Sequence, residues 1–184
     1  MKVSLLSAAV IASLSVGFMQ SAQAESSASR TIYFYGKAVD STCEISVNGG
    51  AADNEIILPT VSQSILNTEG KTAGETTLHF RLSGCTGTSL NNAYVKFEGT
   101  NNVTPESRYS NIAATNPATN VEIELQDKNG NQVLVGSNMQ GTADTYIDVT
   151  DGGGEQQYSA RYYATGAATP GLVEALLVYS ISYE

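Results

Sequence analysis

The chain has no tryptophan, a single histidine (His79) and only two cysteines, Cys43 and Cys85. One histidine without a second cysteine cluster supplies too few ligands for a zinc site. His79 stands between Thr77 and Arg81 on the polar side of an alternating segment, with no visible nucleophile or base to pair with. A solvated strand histidine is predicted there, with no catalytic residue, cofactor or metal. Basic residues are scarce as well, 9 against 18 acidic ones. That balance argues against nucleic acid or an anionic membrane as partner. Beyond Ala24 no apolar run is long enough to span a bilayer, so no membrane insertion is predicted. Long helical periodicity is missing too.

What is present begins at the N-terminus. Lys2 precedes an apolar run from Val3 through Phe18, followed by Ser21-Ala22-Gln23-Ala24, a small-x-small cleavage pattern. Residues 1–24 are therefore predicted to be an export signal. Removing Lys2 with it leaves 8 basic against 18 acidic residues, a net charge of −10 that favours solubility. Both cysteines lie in the exported part, where thiols are oxidised, and a single pair allows one intramolecular bridge. Closing that loop restricts the unfolded chain by about 4 kcal/mol.

Period-2 alternation recurs along the exported part. Leu78, Phe80 and Leu82 alternate with Thr77, His79 and Arg81, and Val121, Ile123 and Leu125 with Glu122 and Glu124. Each pattern predicts a strand with one buried and one wet face. Further strands are expected over 31–39, 42–47, 55–58, 93–97, 132–135, 145–149, 157–164 and 172–183. So many short strands predict an all-β sandwich. Asn129-Gly130 predicts a tight turn closing a hairpin, while 99–119 and 151–154 read as polar surface loops. Asp144, Asp148, Asp151 and Glu155 crowd one region without the spacing of an EF-hand loop, and read as a solvated acidic loop. Tyr158, Tyr162, Tyr163, Tyr179 and Tyr183 lie in alternating segments, where cross-strand packing is expected rather than a sugar platform. Asn102-Val103-Thr104 is formally a glycosylation acceptor, a pattern frequent by chance.

The two ends carry the most information. From Leu172 to Glu184 an uninterrupted strand is predicted, with Ala175, Leu177, Tyr179, Ile181 and Tyr183 on one face. An apolar strand with an open side invites another strand, so something is expected to cover it. After the signal, the polar stretch 25–30 leads into Thr31–Val39, where Ile32, Phe34, Gly36 and Ala38 project to one side. Two readings of that segment stand on strand physics alone: an ordinary first strand, or an arm that adds to an exposed sheet edge.

The exported chain resembles the chaperone–usher pilins, nearest the type 1 fimbrial major subunits. The resemblance rests on the run from Phe34 to Cys43, Leu82-Ser83-Gly84-Cys85, Leu125-Gln126-Asp127, Tyr162 to Gly166, and Gly171 and Tyr183 at the family's fourteenth and second positions from the C-terminus. It implies an immunoglobulin-like sandwich lacking its seventh strand, divided as signal 1–24, donor arm 25–39 and pilin domain 40–184. The missing strand would leave an acceptor groove beside Gly171, Ala175, Leu177, Tyr179, Ile181 and Tyr183. A periplasmic chaperone would fill it first, anchored at Glu184. At an outer-membrane usher the arm of the next subunit, through Ile32, Phe34, Gly36 and Ala38, would replace it. Head-to-tail repetition of that contact gives an open filament of identical or related subunits, exported through the periplasm to the cell surface. Tyr33 and Tyr35 make both faces of the arm apolar, which loosens its register. The resemblance thus implies a structural subunit of an adhesive fimbria, the alternative being a minor adaptor or adhesin of the same machinery. No extra receptor-binding domain is expected at this length. A secreted hydrolase is disfavoured by the missing catalytic set.

Overall fold

The computed structural model describes residues 42–87 and 91–184. Eight strands are described: β1 (Thr42–Val47), β2 (Thr72–Thr86), β3 (Asn92–Phe97), β4 (Tyr109–Ser110), β5 (Val121–Asp127), β6 (Ile147–Asp148), β7 (Gly154–Ala164) and β8 (Tyr179–Tyr183). A single 3₁₀ turn, Gln63–Leu66, precedes β2. The strands form two antiparallel sheets, β1-β2-β7-β5-β4 and β6-β3-β8. The predicted all-β sandwich is therefore the observed architecture. The leader and the arm, including Ile32, Phe34, Gly36 and Ala38, lie outside the described residues.

Alternation in the sequence becomes the core directly. Leu78, Phe80 and Leu82 of β2 and Ile123 and Leu125 of β5 point inward and meet Ala93, Val95 and Phe97 of the facing sheet. Phe80, Phe97 and Tyr158 bridge the two sheets edge to face, with ring centroids 4.9–5.9 Å apart. Such a cluster stabilises by its buried area and by about 1 kcal/mol per edge-to-face pair. Tyr158 and Tyr179 thus serve packing, as expected of strand tyrosines. The Cys43–Cys85 disulfide ties edge strand β1 to β2.

Several strand boundaries differ from the sequence expectation. Residues 55–58 and 132–135 are not strands, and 145–149 contributes only Ile147–Asp148. Thr145 explains the last case, because its hydroxyl donates to Gln140 O at 2.7 Å and holds a turn where a ladder would begin. β2 is much longer than the apolar alternation that announced it, since main-chain pairing with β7 continues through its exposed residues. The 99–119 stretch contains β4, and the 151–154 stretch contributes Gly154 to β7. The hairpin at Asn129-Gly130 is present with a longer connection. Asp127 N donates to Asn131 O at 2.9 Å, and Gly130 takes φ 81° as the left-handed residue after a turn.

The outer face of the five-stranded sheet is sealed from within the chain. Glu124, predicted to be wet, is buried there. It accepts from Arg108 Nε at 3.0 Å and from Arg161 Nη2 at 2.6 Å, and the Arg108 guanidinium lies 3.5 Å from the Tyr163 ring centroid. Burying the carboxylate is tolerated because both sides are hydrogen-bonded to cations. His79 stays on the polar face, half-exposed, 3.6 Å from Glu155.

Candidate functional site

The inner face of the same sheet is not sealed. Between it and the last stretch of chain lies a groove of about 640 Å³. Its floor is made by Val47, Leu78, Phe80, Ile123, Leu125 and Tyr162, core positions of β1, β2, β5 and β7. One wall is residues 173–177 with Tyr179, and the other is the extended segment 52–58. Ile57 on that segment is 81% exposed, and Leu176 is 57% exposed on the opposite wall. At one point the walls touch, where the Tyr179 hydroxyl donates to Ala52 O at 2.8 Å. Burial and then Asp53 push the Tyr179 hydroxyl's pKa upward, so it remains a neutral donor.

The last stretch is bound along one side only. β8 pairs with β3 through Tyr183↔Ala93, Ser182↔Tyr94, Ile181↔Val95, Ser180↔Lys96 and Tyr179↔Phe97. Glu184 and Asn92 exchange both main-chain bonds, at 2.9 and 3.2 Å, and Glu98 N donates to Val178 O at 2.9 Å. Antiparallel ladders alternate bonded and non-bonded pairs, so the main chain of Tyr179, Ile181 and Tyr183 faces away from β3. Val173, Ala175 and Leu177 likewise have no main-chain hydrogen bond among the described residues. The result is an open row of N–H and C=O groups beside an apolar groove, the arrangement that accepts an added strand.

The predicted groove residues distribute unevenly. Ala175, Leu177 and Tyr179 line the groove, while Ile181 and Tyr183 are half-buried against the core beyond it. Glu184 is held at the end of the edge, its side chain accepting from the Tyr146 hydroxyl at 2.5 Å. Gly171 lies against the 116–118 segment, where a Cβ would come within 2.3 Å of Ala118 N, so only glycine lets the two chains approach. The predicted uninterrupted strand from Leu172 is corrected: the ladder covers Tyr179–Tyr183, because β3 ends opposite Tyr179. Sequence reasoning missed the floor residues as a surface, since Leu78 or Ile123 reads the same whether a second sheet covers it or not.

The fimbrial protein family model matches residues 32–184. The chain belongs to the fimbrial protein family. It is 41% identical to the major fimbrial subunit SMF-1 of Stenotrophomonas maltophilia, over 87% of this chain and 95% of that one. It is 27% identical to the type 1 fimbrial protein A chain of Escherichia coli K12, over the whole of both chains. Among solved structures, the P pilus rod subunit PapA shares the fold, with TM-score 0.55 and 21% identity over 77% of this chain and 99% of that one. This fimbrial chain is a structural subunit with an immunoglobulin-like fold, and the groove is the feature through which its fold can join another chain.

Proposed function

We propose that the subunit polymerises by strand addition, residues 25–39 of one copy entering the groove of the next with Ile32, Phe34, Gly36 and Ala38 facing inward. The observation that carries this is the coincidence of the apolar groove with the open main-chain row from Val173 to Tyr183. An inserted strand satisfies those groups at about 1 kcal/mol per hydrogen bond and adds roughly 2 kcal/mol for each large apolar side chain it buries. Neither gain is available to an isolated copy, so the free subunit is aggregation-prone and needs a temporary occupant. A periplasmic chaperone supplies that strand after cleavage of the signal 1–24, with the Glu184 carboxylate as its anchor, and an outer-membrane usher exchanges it for the next arm. The contact is head-to-tail and does not close, which gives a filament on the cell surface.

The test is deletion of residues 25–39 from the mature chain, with rods counted by electron microscopy. The truncated subunit is expected to accumulate bound to chaperone without forming rods. Rods of normal length from the truncated chain would overturn the reading.

A further inference from the structure

Along residues 172–184 the even-numbered carbonyls find donors on one side, and the kind of donor changes partway. Ser180 and Ser182 pair with β3, Glu184 O accepts from Asn92 N, and Val178 O accepts from Glu98 N. Past Phe97 the neighbouring chain leaves the sheet, and side chains take over. Asn102 Nδ2 donates to Leu176 O at 2.9 Å. Asn111 uses its whole amide: Nδ2 donates to Leu172 O at 2.8 Å and Ala118 O at 2.9 Å, and Oδ1 accepts from Glu174 N at 3.0 Å and Ala113 N at 3.0 Å. Ile112 N completes the contact by donating to Glu174 O at 2.8 Å.

A side-chain amide carries the same donor and acceptor as a peptide group, so Asn111 and Asn102 do for this stretch what a neighbouring strand does for β8. We infer that Asn102 and Asn111 are positioning residues of the groove, holding 172–178 extended and in line with β8. The open edge then runs from Val173 to Tyr183 instead of stopping at Tyr179. This rests on the strand-addition reading and names the residues that set how long a strand the groove receives. It also gives the Asn102-Val103-Thr104 motif a role in the fold, since its amide nitrogen is committed to Leu176 O.

Hydrogen exchange on assembled fimbriae of the full exported chain tests this. In the natural filament the amides of Val173, Ala175 and Leu177 are expected to be protected together with those of Tyr179, Ile181 and Tyr183. Asn102→Ala should speed exchange roughly tenfold at Ala175 and Leu177, and Asn111→Ala at Val173 and Ala175, the loss expected for one or two hydrogen bonds. Exchange at Tyr179, Ile181 and Tyr183 should not change. Asn111→Asp, which keeps the acceptor and loses the donor, should act at the same amides with a smaller factor. Where a variant accumulates without polymerising, the same amides are compared in its chaperone complex, with the same expectation. Uniform loosening from Val173 to Tyr183, or none, would overturn the assignment. So would variants that fail to accumulate where the natural chain does, because the asparagines would then hold the fold and not the edge. Unprotected amides throughout 173–183 in the natural filament would instead reject strand addition itself.

Discussion

The two faces of the five-stranded sheet solve opposite problems. On the outer face the chain buries a carboxylate, Glu124, and answers it with two arginines of its own. On the inner face it leaves apolar side chains such as Leu78 and Ile123 along a groove that nothing in the described chain fills. The outer face is chemically demanding yet complete within one chain, whereas the inner face is chemically simple and incomplete. Polar burial that lacks a partner costs folding free energy at once. Apolar surface beside an open edge costs nothing specific until a partner arrives, so it is the face on which assembly can be built.

If that contrast is right, substitutions on the sealed parts should lower subunit stability and those along the groove should lower assembly. The largest effect is expected from the disulfide. Cys43→Ser with Cys85→Ser should cost about 4 kcal/mol and be seen as degradation of the exported subunit; undiminished periplasmic yield would show the β1–β2 tie to be dispensable. Next, Glu124→Ala leaves Arg108 and Arg161 facing each other without the carboxylate and should cost about 3 kcal/mol in urea unfolding. A loss confined to filament formation would break the comparison. Leu177→Asn should act the other way round, with a change of about 1 kcal/mol in the subunit, since the side chain is only half-buried, and a clear drop in filament melting temperature. Equal losses in both would mean that Leu177 belongs to the core.

The smallest effect concerns pH. The Ser180 hydroxyl, donating at 2.6 Å, and then Lys96 hold the Glu98 carboxyl below its ordinary pKa. A carboxyl with a lowered folded pKa contributes stability above its unfolded pKa and loses it as pH falls through the folded one. Acidification from the ordinary glutamate range downward should therefore weaken the link between β8 and the chain after β3. Ser180→Ala should flatten that part of the acid unfolding curve, and an unchanged curve would remove Glu98 from the account.

How much was legible beforehand differs by residue. Leu78, Phe80 and Leu82 announced their strand and its inward face, because a period of two has one physical meaning on a pleated sheet. Glu124 was misplaced in water, because the arginines that satisfy it come from β7 and from beside β4. The last strand was read as continuous from Leu172, and its main chain is anchored along that whole length on one side, but the ladder itself is confined to Tyr179–Tyr183. No pattern in the sequence marked Asn102 or Asn111, since their partners lie 74 and 61–63 residues away.

The sequence by itself determined the secondary structure's period, the oxidised cysteine pair and the apolar edge near the C-terminus, because each is a property of residue type and local spacing. Only the tertiary structure decided that the edge faces a groove, that the groove floor is the core of the opposite sheet, and that asparagine side chains extend the edge beyond β3. Those depend on which distant segments pack together and which place between them is left without a strand.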